Sequence, residues 1–358
     1  MLRSIAIQII LLAMIIQACN GSNNMPDRKF KSKNFNGKVF INPVPTDVMQ
    51  PGGTWETMKL WFRDTEKRNP KIKPGPFKAD LNQLKTKSAD AFRITWMGHS
   101  TVLMEIDGKR FITDPVFSRY SSPVSFFGVE RFFDVPLEIK DLPELDGVII
   151  SHDHYDHLDK KSIQQLGKGD IKFYCPLGIK DILSGWGINK ENIIELDWWE
   201  NISLDKKFTI TSAPARHFSG RGIFRNRTQW ASWIIKGPKH KVYFGGDSGL
   251  WDGYKEIGDK YGPFDLTILE IGAYHKYWGN IHLGPDNALE AHNALKGKIL
   301  LPIHWGTFNL GLHAWTEPAE RIIYLAEEKN ISLLLPAPGQ TRPMPNSSYI
   351  SKWWEPFK

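Results

Sequence analysis

Cysteine is almost absent: the 358 residues hold two, Cys19 and Cys175. One pair permits one intrachain bridge at most, so no disulfide framework supports the fold, and a cysteine-rich metal site is excluded. Long apolar runs are missing too. The N-terminal stretch from Ile5 to Ile16 is only 12 residues, where a helix needs about 20 to cross a bilayer core of roughly 30 Å. No internal repeat or low-complexity block is present. GDSG at 246–249 is not the G-x-S-x-G of a serine nucleophile, which argues against Ser248 in that role.

Hydrophobic residues make up 41% and charged residues 24%, ordinary values for a globular chain with material for one large domain or two modest ones. The 14 Trp and 20 Phe read first as core filling, with apolar-ligand or membrane contact as the other reading. Net charge is +7, and residues 27–33, DRKFKSK, carry four of the positive charges; such a balance suits anionic lipid, phosphate or nucleic acid. MLRSIAIQIILLAMIIQAC reads as a secretory signal. Its end, IQAC, resembles the bacterial lipoprotein cleavage box, so cleavage before Cys19 and lipidation of that residue are expected. The mature protein would then be an exported, membrane-anchored lipoprotein of the bacterial cell envelope, in the periplasm or at the cell surface. Export makes phospholipid and the membrane surface the expected partners, and nucleic acid is not one. With Cys19 spent on lipid, Cys175 is expected to be an inert buried thiol.

After the signal (1–18) comes a polar tether, 19–38, and then an N-terminal extension, 39–90, with Pro-rich loops and a predicted helix near Glu56–Lys67. From 91 to 345 the texture is that of one main domain, with 346–358 as a C-terminal tail. Short β-rich runs such as FRITWMG, RFITDP, DGVIIS, FTITSA, KVYFGG, LTILEIG and ILLPIH alternate with helical patterns near 177–185, 253–261, 285–296 and 317–329. That alternation predicts a layered α/β fold. Several of the runs end in His, Asp or Gly, and strand ends are where such folds place chemistry.

The densest chemistry is SHDHYDHLD, 151–159. On a helix His152 and His154 would face apart, whereas in a turn after a strand they can share an ion. Imidazole and carboxylate suit zinc, and iron or manganese as well. His217 after FTITSA, Asp247 after KVYFGG and His304 after ILLPI stand at further strand ends, so all of them are expected on one edge of a sheet.

In that order these motifs, from Asp114 in FITDP to His304, resemble the metallo-β-lactamase superfamily. The resemblance implies an αββα sandwich in which His152, His154 and His217 hold one zinc. Asp156, His157 and His304 would hold the second, Asp247 would bridge the two, and Asp114 would fix the ligand loop from behind. MGHSTVLMEIDG, FITDPVFS, ISHDHYDHLD, PARHFSGRG, GGDSG, GPFDL, EIGAY and IHWGTF together are similar to the family of N-acyl-phosphatidylethanolamine-hydrolysing phospholipases D, over about Trp96–Thr316.

This implies a dinuclear zinc phosphodiesterase that releases phosphatidic acid and an N-acylethanolamine, with a metal-bridging hydroxide as nucleophile and Asp156 and Asp247 in the catalytic set. Tyr155 and His282 match family positions near the substrate phosphate. His99 is expected to support the ligand loop, and His275 to line the substrate mouth. Members of the family are expected to dimerise. Ser125 and Phe126 stand where the mammalian enzyme carries polar Gln and Tyr, so head-group recognition is expected to differ. His240, His292 and His313 read as surface or structural. A lactone or ester hydrolase of the same superfamily would share every ligand, and from another class stands a lipid-binding surface protein without turnover.

Overall fold

The computed structural model describes residues 30–358 except 64–66, 87, 89–90, 125, 223 and 345–346. The segment read as a signal, Cys19, most of the segment read as a tether, and Ser125 lie outside the described residues.

From β1 (Phe92–Gly98) the chain runs antiparallel through β2 (Thr101–Ile106) and β3 (Lys109–Thr113). A short ribbon, β4 (Tyr120–Ser121) with β5 (Val129–Glu130), precedes three parallel strands, β6 (Gly147–Ile149), β7 (Lys172–Pro176) and β8 (Ile193–Leu196). A second sheet begins antiparallel with β9 (Asn201–Asp205), β10 (Phe208–Ala213), β11 (Ser232–Lys236) and β12 (Lys241–Phe244). It continues parallel through β13 (Phe264–Glu270), β14 (Gly297–Ile303) and β15 (Ser332–Leu335). β16 (Thr341–Pro343) crosses back to pair with β1, and β17 (Tyr349–Ile350) edges the second sheet beside β15.

Side-chain alternation builds the layers. Phe111, Ile149 and Tyr174 point into the space between the sheets, where the Phe111 ring meets Phe208 of β10 at 5.6 Å. Their neighbours Ile112, Val148, Phe173 and Cys175 point the other way, onto Ile163 of α3 (Lys160–Leu166) and Ile179 and Leu183 of α4 (Ile179–Gly185). Strands covered on both faces read as continuous apolar runs, which is why β2 is buried at every position. On the far side, α6 (Gly284–Ala294) and α7 (Glu317–Glu328) cover the second sheet, which completes the αββα order. α7 buries Ile322, Ile323, Leu325 and Ala326 along one face.

Two boundaries differ from the sequence reading. The helix expected at Glu56–Lys67 is α1, Gly53–Arg63, beginning three residues earlier where Gly53 lies against the Tyr277 carbonyl. The segment read as a tail belongs to the core: β17 extends the second sheet, and Trp353 and Trp354 are buried against Trp305. Cys175 is buried as expected, and burial pushes its thiol well above its ordinary pKa, leaving it a poor nucleophile. Among the described residues no helix is long and apolar enough to cross a membrane.

Candidate metal centre

The two sheets bring their strand ends together along one edge. His99 sits in the β1–β2 turn, Asp114 directly after β3, the 151–159 loop after β6, His217 after β10, Asp247 after β12 and His304 after β14. His99, Asp114 and His304 all take left-handed backbone conformations, with φ of 52°, 35° and 64°. Such conformations cost non-glycine residues on the order of 1–3 kcal/mol each and cluster at functional sites. Gly246, φ 58°, lets the Asp247 loop approach closely, because a Cβ there would stand 2.6 Å from that of Ser151.

The expected ligands fall into two clusters, and a third group of possible ligand atoms, on Asp247, Glu270, His282 and His304, overlaps them. In the first, His152 Nε2 lies 2.8 Å from His154 Nδ1, His217 Nε2 lies 3.3 Å from the same atom, and both Nε2 atoms lie 3.8 Å from Asp247 Oδ2. In the second, Asp156 Oδ2 is 3.4 Å from His157 Nε2 and 3.3 Å from His304 Nε2, which lie 3.1 and 3.2 Å from Asp247 Oδ2. A tetrahedral zinc with bonds of about 2.0–2.1 Å holds its ligand atoms roughly 3.3 Å apart, so both clusters have the right span. Asp247 Oδ2 belongs to both.

Backbone and side-chain partners fix which nitrogen of His152, His157 and His217 faces inward. Asp114 Oδ2 accepts from His157 Nδ1 at 2.7 Å and from the Ser151 hydroxyl at 2.6 Å, and Ser151 Oγ in turn lies 2.9 Å from His152 Nδ1. His217 Nδ1 faces the Ile281 carbonyl at 2.9 Å, and Asn42 of the N-terminal extension brackets the His217 backbone at both its N–H and its carbonyl. His99 Nε2 lies 2.9 Å from Asp156 Oδ2, so His99 supports the ligand loop through Asp156.

What remains is a set of buried atoms without hydrogen-bond partners: His157 Nε2, both His304 ring nitrogens and Asp247 Oδ1. Buried polar groups are normally paired, so these orphans fit an ion. Electrostatics agree. Burial would lower the pKa of His157, yet Asp247, Asp156 and Asp114 hold it well above the ordinary value; His304, against the same burial, is raised to about 10 by Asp247 and Asp156. Burial would raise Asp156 and Asp247, but the histidines keep both well below the carboxylate range. The two carboxylates therefore demand positive charge at the shared point. His152 and His217 are pushed well below 6.5, first by burial, and His99 to about 3 by burial and then by His304, so all three are neutral imidazoles.

All seven expected ligands thus converge, with Asp114 and His99 behind them. His282 and His275 line a cavity of about 240 Å³ beside the centre, with Gln50, Tyr274 and Trp278. Tyr155 is not brought to the ligand cluster in the same way. Its hydroxyl donates to the Arg221 carbonyl at 2.8 Å, and its ring carries the Arg221 guanidinium at 4.1 Å. Phe126 is 78% exposed. Ser248 donates its hydroxyl to the Gly249 carbonyl, in keeping with its exclusion as a nucleophile.

Two residues at the site escaped the sequence reading. Glu270 ends β13 fully buried, accepts the Ser248 N–H at 2.7 Å and lies 2.5 Å from His282 Nδ1. It was visible as the acidic end of the apolar run LTILE, the last residue of β13, whereas Asp247 lies three residues past β12. Arg221 braces the ligand loop by donating to the Asp153 and Leu158 carbonyls; nothing in SGRG distinguished it from a surface cation.

Residues 109–305 match the family model described as a beta-lactamase superfamily domain. An uncharacterized protein of Mycobacterium tuberculosis is 39% identical over 90% of this chain and 88% of its own. The N-acyl-phosphatidylethanolamine-hydrolyzing phospholipase D 1 of Caenorhabditis elegans is 34% identical over 85% of this chain and 90% of its own. Among solved structures, a metallo hydrolase from the archaeon Ignicoccus hospitalis shares the fold, with a TM-score of 0.55 at 23% identity, covering 71% of this chain and 98% of that one.

Proposed function

We propose a lipid phosphodiesterase on one premise: the chain belongs to the metallo-β-lactamase superfamily and, within it, to the family that includes the N-acyl-phosphatidylethanolamine-hydrolysing phospholipases D. Membership makes it a metal-dependent hydrolase. The finer reading is a dinuclear zinc enzyme that adds water across the P–O bond of N-acyl-phosphatidylethanolamine or a related glycerophospholipid, giving phosphatidic acid and an N-acylethanolamine. The observation that carries it is Asp247 Oδ2, within 3.8 Å of ligand nitrogens in both clusters and so suited to join two ions.

A bound pair of zinc ions supplies Lewis acidity toward the phosphoryl oxygens and brings the pKa of water toward neutrality. The chain's own residues do the rest. His99 and Asp114 hold Asp156 and His157 in place, so the ligand set needs no reorganisation when substrate arrives. His282 faces the cavity in which the phosphodiester and its leaving alcohol would lie. The rim supports a lipid source for that substrate. On α1, Trp55, Met58 and Trp61 share one face by their spacing and are 59%, 42% and 39% exposed, with Lys59 above the Trp55 ring. Just before α1, Gln50 lines the cavity and donates its N–H to the Tyr277 carbonyl, so the helix begins three residues beyond the cavity wall. Tryptophan beside lysine is the composition of a segment lying in a bilayer interface, and a lipidated Cys19 would keep the chain at that surface.

Purified protein is given vesicles containing N-acyl-phosphatidylethanolamine, a lactone and a carboxyl ester, each with and without chelator, and its metals are counted by mass spectrometry. Chelator-sensitive release of phosphatidate with about two zinc ions per chain is expected. Lactone or ester turnover without phosphatidate release would transfer the protein to the rival hydrolase class, and no turnover of any substrate by fully metal-loaded protein would favour a lipid-binding role.

A further inference from the structure

Glu270 lies outside the seven expected ligands and is fully buried beside them, although with Asp247, His282 and His304 it forms a further group whose ligand atoms lie within 4.8 Å of one another. A carboxylate buried without compensation is costly, and burial raises its pKa despite the neighbouring His282. Its two oxygens are divided. Oε1 accepts the Ser248 N–H, next to Asp247, while Oε2 lies 2.5 Å from His282 Nδ1, within hydrogen-bond reach. The His282 side chain is only 12% exposed, and that exposure opens to the cavity of about 240 Å³ lined also by Gln50, Tyr274, Trp278 and Asn280. The cavity is smaller than the roughly 300–1,000 Å³ of sites that enclose whole drug-sized ligands. It suits a polar head group, and its lining supplies amide, phenol and imidazole groups.

We propose that Glu270 is a positioning residue: by holding Nδ1 of His282 it turns Nε2 into the head-group cavity, where Nε2 meets the phosphoryl group of the bound diester. The inference rests on the phosphodiesterase reading for its substrate, but not for its geometry. Glu270 accepts from Nδ1–H whether His282 is neutral or cationic, so it selects which ring nitrogen reaches the cavity in either state. Without it, the ring is free to rotate about χ2, and Nδ1 and Nε2 exchange places. The ring lies near the first cluster as well, 5.1 Å from that of His217, and its Nδ1 is 3.9 Å from Asp247 Oδ2.

The test is a cycle of Glu270→Gln, His282→Ala and the double variant, in metal-loaded full-length protein. Three readouts are taken: zinc per chain, the downfield Nδ1–H proton resonance of His282, and kcat and KM on N-acyl-phosphatidylethanolamine vesicles and on bis(p-nitrophenyl) phosphate. A carboxylate that orients a functional histidine is typically worth about 10–100-fold. Glu270→Gln is thus expected to lower kcat by that factor with zinc retained and the downfield resonance lost or shifted. In the His282→Ala background the same substitution should change kcat less than about twofold, because its effect runs through the ring. Loss of zinc in Glu270→Gln, or an undiminished effect in the His282→Ala background, would mean that Glu270 acts by bracing Ser248 and Asp247, and the proposal would be overturned. An unchanged His282 resonance would overturn it too, even if neither diester is a substrate. Failure on both diesters with the resonance lost would instead count against the phosphodiesterase reading and leave the Glu270–His282 geometry supported.

Discussion

Strand β3 carries a His–Asp pair at each end. Before it, Asp107 lies 2.6 Å from His240 Nδ1; after it, Asp114 lies 2.7 Å from His157 Nδ1. Both aspartate side chains are fully buried and both residues take left-handed backbone conformations, with φ of 49° and 35°. The pairs differ in what the second imidazole nitrogen finds. Asp107 also takes the Lys239 and His240 N–H groups, and the His240 side chain is 28% exposed and packs on Phe92, so that end is a closed turn. His157 Nε2 is buried without a hydrogen-bond partner, 3.1 Å from one carboxylate oxygen and 3.4 Å from another. A His–Asp pair is therefore no mark of chemistry by itself. Convergence of unsatisfied atoms is.

The strongest way to break this contrast is to remove the shared point. Asp247→Asn or His152→Ala should cost far more than the roughly 10–100-fold typical of an outer partner, with loss of metal from the affected cluster. Metal analysis beside turnover checks it; near-normal rates with full metal loading would refute the ligand assignment.

The contrast also shows how far the sequence could be read. The seven candidate ligands were legible because they lie in loops that follow apolar runs, and a strand's end constrains where the next residues go. The alternation of strands and helices pointed to a layered α/β fold, and the resemblance to the metallo-β-lactamase superfamily supplied the αββα order. Glu270 was missed although it ends an apolar run, because glutamate is common at strand ends and its partner His282 lies twelve residues on, across an irregular loop. Tyr155 shows another limit: its place between ligands suggested substrate contact, and nothing near it in sequence pointed to Arg221, sixty-six residues away, whose carbonyl its phenol meets. The role of 346–358 was equally hidden, since two short runs, YI and WW, carry no sign of which sheet edge they will cover.

A matched pair of amide substitutions sharpens the comparison. Asp114→Asn weakens the acceptor that anchors His157 directly and His152 through Ser151, and should lower metal affinity by about 10–100-fold, read by chelator competition. Asp107→Asn breaks an equally short bond in the closed turn. It should cost on the order of 1–2 kcal/mol of stability while leaving metal affinity and turnover unchanged. Equal losses of metal from both variants would erase the distinction drawn between the two ends of β3.

His292 supplies a third case, a histidine buried for packing alone. Its ring fills the space beside Gly297, Nδ1 lies 2.7 Å from Thr267 Oγ1, and burial lowers its pKa to about 4. In the unfolded chain the value returns to about 6.5. A base whose folded pKa is depressed leaves the unfolded state holding more protons between the two values, so stability falls as pH drops through 6.5 and goes on falling toward 4. Between pH 7.5 and 6 this single group should cost about 1 kcal/mol, a range in which the metal-ligating carboxylates stay ionised. His292→Gln keeps a donor and acceptor near Thr267 but cannot titrate. Its denaturant-unfolding free energy should therefore fall less over that interval than the wild type's, by about 1 kcal/mol, with turnover at pH 7.5 unaffected. Parallel pH slopes for variant and wild type would show that His292 is not held neutral by its surroundings, and that burial alone does not separate a packing histidine from a ligand.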